Sequence, residues 1–154
     1  MNRDSNIYTF LFVGIMVIGI ASILAFTSQT LKPMQKENVK NEKMQNILST
    51  VGINVSRDKA KDLYSKYITQ ELALKIDGTV NENINPFSDL NLAKEIKKDY
   101  DEQHFPLYIA EIESEKYYII ELRGVGLWDA IWGYMSLKSD FNTVNGVSFD
   151  HKGE

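Results

Sequence analysis

Residues 122–137 hold most of what this chain offers for chemistry. They read Leu-Arg-Gly-Val-Gly-Leu-Trp-Asp-Ala-Ile-Trp-Gly-Tyr-Met-Ser-Leu, with Gly124, Gly126 and Gly133 set among both tryptophans, Trp128 and Trp132. Glycine lets main chain approach a ligand or another strand closely, at an entropic cost of about 0.5–1 kcal/mol against alanine in a regular element. Two glycines one residue apart, ahead of Leu127 and Trp128, point to a tight strand crossing or to a contact site for something planar. The plainer reading of the same residues is a strand-connecting turn whose tryptophan fills the core. A dinucleotide-binding turn is excluded: it requires a third glycine three positions after Gly126, at the start of a helix. Asp129 stands there, and Ile131, Gly133, Tyr134 and Leu137 follow without helical periodicity.

Other chemistry is sparse. His104 and His151 are the only histidines, and neither has a companion ligand at the short spacing a metal site uses. His104, before Phe105-Pro106, reads as an exposed strand-entry residue and His151 as a turn residue. No nucleophile, acid and base set can be placed from spacing, because such sets are defined by geometry. No catalytic residue and no metal ligand is assigned. With no cysteine, disulfides, thiolate metal sites and thiol nucleophiles are excluded. A net charge of −4 and a pI near 5.3, without a basic run, argue against a nucleic-acid partner.

The elements that position the glycine and tryptophan stretch follow from periodicity. Residues 7–26 carry no charge, and twenty residues at 1.5 Å each span about 30 Å, the hydrocarbon thickness of a bilayer. This is a membrane helix, and an uncleaved one: a cleaved signal has a shorter apolar region behind a basic leader, whereas here Arg3 is offset by Asp4. Residues 30–50 form a Lys/Glu-rich helix rising from the membrane, ending near Gly52, its Lys32, Lys36, Lys40 and Lys43 alternating with Glu37 and Glu42 as on a solvated face. Those lysines would place the following domain in the cytoplasm, although that rule weakens for long translocated domains.

Ser56 caps a second helix, with Ala60, Leu63, Tyr64, Tyr67 and Ile68 on one face. Residues 69–83 are expected to form a first hairpin turning at Asp77-Gly78, and Leu92, Ile96 and Tyr100 a short helix reaching Glu102. Apolar runs at 107–113, 117–123, 131–137 and 143–149 predict four antiparallel strands, the first pair turning at Ser114-Glu115-Lys116. The tryptophan stretch would join the second and third of these. Tyr108, Tyr117, Tyr118, Trp128, Trp132 and Tyr134 would pack the sheet faces. The fold class is therefore α+β, with a single N-terminal transmembrane helix followed by an antiparallel sheet with flanking helices.

The run from Leu122 through Gly124-Val125-Gly126-Leu127-Trp128, then Ile131-Trp132-Gly133-Tyr134-Met135, Asn142-Thr143-Val144-Asn145-Gly146-Val147 and Asp150-His151-Lys152-Gly153-Glu154 resembles the NqrC family, which belongs to the sodium-pumping NADH:quinone oxidoreductase. The resemblance covers nearly the whole chain and extends to the counterpart of NqrC in a related electron-transport complex. It implies an FMN-binding-type domain outside the cytoplasm, held at the bacterial inner membrane by one helix, which relays electrons among other subunits of the complex; NADH is oxidised elsewhere. The implied flavin is joined by a phosphoester to the threonine of a Ser-Gly-Ala-Thr motif. That motif does not occur in these 154 residues.

What carries over is Gly124, Gly126, Leu127 and Trp128 as one wall beside the flavin, with Gly153 and Glu154 opening a second loop. On this basis residues 1–29 are leader and membrane helix, 30–52 a juxtamembrane helix, and 53–154 the N-terminal part of an FMN-binding-type domain that is incomplete at its C-terminal end. The expected partners are membrane lipid and the other subunits, and this chain by itself is expected to transfer no electrons. The alternative is a membrane-tethered, non-catalytic interaction or assembly module.

Overall fold

The computed structural model describes residues 6–151, so Gly153 and Glu154 lie outside the described residues. The chain divides into two compact units, Met1–Lys40 and Asn41–Glu154.

The first helix, α1, runs Asn6–Ser49 without a break, so the expected membrane and juxtamembrane helices are one element. It is long and apolar enough to cross a membrane. Within the first unit its polar side chains satisfy themselves: the hydroxyls of Ser22, Thr27 and Thr30 donate to the carbonyls of Ile18, Ile23 and Phe26 at 2.7, 2.9 and 2.9 Å. In hydrocarbon an unpaired hydroxyl would be costly, and this back-bonding removes the cost. Pro33 lies inside the helix, where it lacks the N–H that would continue the ladder.

In the second unit, α1 ends in a glycine-terminated cap. Gly52 has φ of +82°, its N–H donates to Ser49 O at 3.1 Å, and the Ile53 N–H reaches back to Leu48 O at 3.1 Å. These two bonds satisfy carbonyls that the helix end leaves free, and only glycine adopts that φ without strain. Helix α2 (Arg57–Tyr67) starts after Ser56, as expected, but the Ser56 hydroxyl makes no capping bond. Ile68, assigned to that helix from its apolar spacing, instead opens strand β1 (Ile68–Lys75).

The expected first hairpin is reduced to one bridge, Leu74 to Val80. The turn itself forms at Asp77-Gly78, with Gly78 at φ +82°. Beyond it the chain leaves the sheet, and β1 pairs instead with β2 (His104–Ile112). The expected helix to Glu102 breaks into a short α3 (Leu92–Glu95) and a 3-10 turn at Tyr100–Glu102.

Strands β3 (Glu115–Val125), β4 (Ala130–Leu137) and β5 (Val144–His151) complete an antiparallel sheet of order β1-β2-β3-β4-β5. The β2–β3 turn sits at Glu113-Ser114, slightly before the expected position. Both residues have positive φ, 52° and 68°, the conformation that matches a two-residue loop to the strand twist.

Alternation along the strands sorts the sheet into two faces. One carries Tyr108, Ala110, Ile119, Tyr134 and Ser136, all buried. Ile47 and Leu48 from the end of α1 and Tyr64 from α2 pack into this core. The other face carries Ile109, Tyr118, Ile120, Leu122 and Met135, half-buried. The fold is α+β, as expected: a long apolar helix followed by a five-stranded antiparallel sheet with helices on it.

Candidate functional site

The glycine and tryptophan stretch becomes the far end of the β3–β4 hairpin. Register runs unbroken to Val125 opposite Ala130, leaving residues 126–129 as the loop. The Gly126 N–H donates to Asp129 O at 2.8 Å and the Ala130 N–H donates to Asp129 Oδ1 at 2.7 Å, so Asp129 closes the tip. With the backbone drawn inward, the side chains point out: Val125 is 92% exposed, Leu127 90% and Trp128 84%. The expectation that Trp128 packs a sheet face is thereby corrected, and so is the plainer reading that it fills the core. A four-residue loop that uses its own polar groups to close has no core within reach of the Trp128 ring.

The three glycines serve different ends. A Cβ on Gly133 would strike the Ser148 carbonyl oxygen and the Phe149 ring, so this glycine lets β5 lie against β4. At Gly126 a Cβ would fall 2.8 Å from Ile131 Cδ1, again an intramolecular constraint. Of the three, Gly124 alone faces open space, with no atom within 4 Å of an added Cβ. Within the expected wall, Gly124, Leu127 and Trp128 offer free surface, and Gly126 positions them.

Two polar clusters were not anticipated. On the helix-covered face, Lys43 is not on a solvated face. Its Nζ stands 3.4 Å from Glu121 Oε2 and over the rings of Phe87 and Tyr108, 5.1 and 5.6 Å from their centroids. Beside it the Tyr64 hydroxyl donates to Glu71 Oε1 at 2.8 Å. Burial first, then the nearby Glu71, pushes the Tyr64 hydroxyl far above the ordinary phenol range; burial, then Glu121, does the same for Tyr108 and Tyr134. These tyrosines stay neutral, and Tyr108, like Tyr64, serves as a donor, its hydroxyl reaching Pro86 O at 3.4 Å. No local pattern could have revealed the cluster, because it is assembled from α1, α2, four strands and the loop that carries Phe87.

The second cluster corrects the reading of His104 as exposed. His104 does open β2, but its ring is half-buried: Nδ1 lies 3.0 Å from Glu102 O and 3.8 Å from Glu95 Oε2, while Nε2 meets Asn81 Nδ2 at 3.1 Å. Since the amide NH2 can only donate, Nε2 accepts and Nδ1 carries the proton toward Glu102. Glu95 is buried, bridged by Lys98 Nζ at 2.7 Å and by the His104 N–H at 3.1 Å. His151, expected in a turn, is the last residue of β5.

A shallow cavity of about 340 Å³ is lined by Ser114, Glu115, Lys116, Tyr117, Tyr118, Lys138 and Ser139. It lies at the opposite end of β3 and β4 from the Trp128 tip and mixes both signs of charge, so it adds nothing to the candidate wall. Among the described residues no His, Asp and Glu group is arranged to hold a metal.

No family model matches the chain. It is 29% identical over 175 residues to the NqrC subunit of the Na(+)-translocating NADH-quinone reductase of Pseudomonas aeruginosa, and 25% identical over 168 residues to that of Haemophilus ducreyi. The alignments cover 99% of this chain but 66% and 65% of those proteins, so the chain spans just under two thirds of their length.

Among solved structures, the NqrC subunit from Parabacteroides distasonis superposes with a TM-score of 0.73 at 34% identity, over 80% of this chain and 59% of that one. Shewanella oneidensis NqrC shares the fold, with a TM-score of 0.59 at 21% identity over 75% of this chain and 61% of that one. Sequence and fold agree: over most of its length the chain is similar to NqrC, a subunit of the Na(+)-translocating NADH-quinone reductase.

Proposed function

We propose that this chain acts as a membrane-anchored electron-transfer subunit of a sodium-translocating NADH-quinone reductase, with the other subunits of that oxidoreductase as its partners. The observation that carries the reading is the joint similarity, 34% identity with a TM-score of 0.73, to a solved NqrC structure. Residues 7–26 hold it in the bacterial inner membrane as a single-pass anchor, and the sheet domain lies on the periplasmic side, opposite to the lysine count. Long domains translocate largely regardless of such charges.

The resemblance implies FMN, which supplies one-electron transfer when bound. The hairpin tip fits part of that group. Leu127 and Trp128 present apolar surface that suits one side of a flat ring, and Gly124 leaves room beside them. Among the described residues the tip brings no enclosing second wall, and its own N–H at Gly126 is already used by Asp129. The residues present therefore supply one side of a ring contact; Gly153 and Glu154 would begin the other. The Ser-Gly-Ala-Thr motif that the resemblance implies does not occur in these 154 residues.

Deleting the gene and assaying sodium-stimulated NADH-to-quinone electron flow in membranes tests this reading. Flow should fall and return with the wild-type gene, but return only in part with Trp128→Ala. Undiminished flow in the deletion would refute the proposal.

A further inference from the structure

Just past the apolar span, between residues 27 and 41, the charged side chains are Lys32, Lys36, Glu37 and Lys40, all exposed. Four residues of α-helix turn the chain by about 400°, so each of the three lysines lies about 40° from the last and together they share an arc of about 80°. Glu37 falls about 60° outside that arc. Because α1 is continuous through this region, the lysines make one basic stripe.

The depth of the stripe follows from the backbone. Residues 7–26 are uncharged and fill about 30 Å of hydrocarbon. Pro33 has no N–H, which leaves the Gln29 carbonyl without its helical donor. Such a carbonyl is costly in hydrocarbon and satisfied among water and headgroups. Gln29 therefore belongs outside the apolar layer, about 4.5 Å past Phe26. The headgroup layer adds roughly 5–8 Å on each side. Lys32, about 9 Å past Phe26, stands at the outer margin of that layer, and its flexible stem turns the ammonium back into it. Lys36, at about 15 Å, is within a screening length of about 8 Å of the margin, and Lys40, at about 21 Å, lies beyond it.

We propose that this stripe is a docking surface for anionic phospholipid, with Lys32 contacting the headgroup phosphate and Lys36 adding attraction from above. An ammonium on a flexible arm suits a phosphate as a point charge that needs no fixed geometry. Lipids whose headgroup lacks a compensating ammonium, such as phosphatidylglycerol, are favoured over zwitterionic ones. The shared arc directs the charges at the same few lipids, whereas lysines spread around the helix would divide their attraction among all its neighbours. The inference rests on the span and the stripe alone. It holds on either side of the membrane, and whether or not flavin binds.

The test reconstitutes the whole chain in nanodiscs of phosphatidylglycerol and phosphatidylcholine in equal amounts and counts the lipids that stay with it by native mass spectrometry. Wild type should retain phosphatidylglycerol in preference. Lys32→Gln should lower that preference by about fivefold, the worth of one lysine near a charged membrane surface. Lys36→Gln should lower it less and Lys40→Gln hardly at all, in the order of their depth. Lys32→Arg should keep it, since charge is retained. Lys59→Gln with Lys61→Gln, which removes two exposed lysines from α2, should leave it unchanged. An excess of inorganic phosphate should not displace the lipid.

Equal retention of the two lipids by wild type would overturn the proposal, as would equal effects of Lys32→Gln and Lys40→Gln. So would a loss in the α2 double variant as large as that in Lys32→Gln, or a loss in Lys32→Arg. Displacement by inorganic phosphate would show a site for a free anion in place of a lipid surface, and would overturn it too.

Discussion

A Cβ on Gly146 would strike the carbonyl oxygen of Thr50, at the turn that ends α1. That same oxygen accepts hydrogen bonds from Ser136 Oγ at 2.6 Å and Asn145 Nδ2 at 3.0 Å, so one carbonyl ties the end of α1 to both β4 and β5. Gly146→Ala should therefore lower stability by about 1–3 kcal/mol, the usual range for overpacking a filled site. Gly124→Ala, with open space around it, should stay within about 0.5 kcal/mol of wild type. Urea unfolding of the two variants side by side checks this.

Asp140, in the β4–β5 loop, behaves differently. Hydrogen bonds from the Thr143 hydroxyl, then from the Thr143 and Asn142 N–H groups, hold its carboxyl at about 2. A carboxyl lowered on folding contributes its stability above the ordinary carboxylate range, and that contribution is lost as pH falls toward 2. Nuclear magnetic resonance titration should find the midpoint near 2, and Thr143→Val should raise it.

The elements show where sequence periodicity succeeds and where it stops. The membrane-length helix, α2, and strands β2 to β5 were legible because each has a stripe, an apolar run or an alternate face that repeats locally. Gly52 and Gly78 announced their turns for the same kind of reason, since φ near +82° favours glycine strongly. What failed were choices among partners. Residues 79–83 carry hairpin-like signals, yet β1 takes β2 as its neighbour across a long connection, and no local pattern encodes that competition. Lys43 was read from its neighbours along α1, whereas Glu121, Phe87 and Tyr108 reach it from distant parts of the chain.

The Trp128 hairpin is an intermediate case. Its glycines signalled a special backbone, but only the register of β3 on β4 shows that the turn throws Leu127 and Trp128 outward. Because these side chains touch little of their own fold, Leu127→Ala and Trp128→Ala should leave the thermal midpoint nearly unchanged. That contrasts with the several kcal/mol, about 3–5, lost when a buried aromatic is truncated. A melting curve that fell markedly for Trp128→Ala would mean that the ring packs in solution.

At the scale of the whole molecule, the chain combines an apolar helix of membrane length with a sheet domain whose covered face is rigidly filled and whose β3–β4 tip is apolar and exposed. Exposed apolar groups concentrated at such a hairpin tip mark an interaction site. This arrangement suits a subunit that works inside a larger membrane assembly. The most direct measurement is isolation of the affinity-tagged chain from native membranes in mild detergent, with identification of what accompanies it. Co-isolation of the other subunits of the sodium-translocating NADH-quinone reductase, in constant proportion and lost on deletion of residues 122–137, is the predicted result. A tagged chain that is present in the membrane at normal level but isolates without any of those subunits would contradict the account.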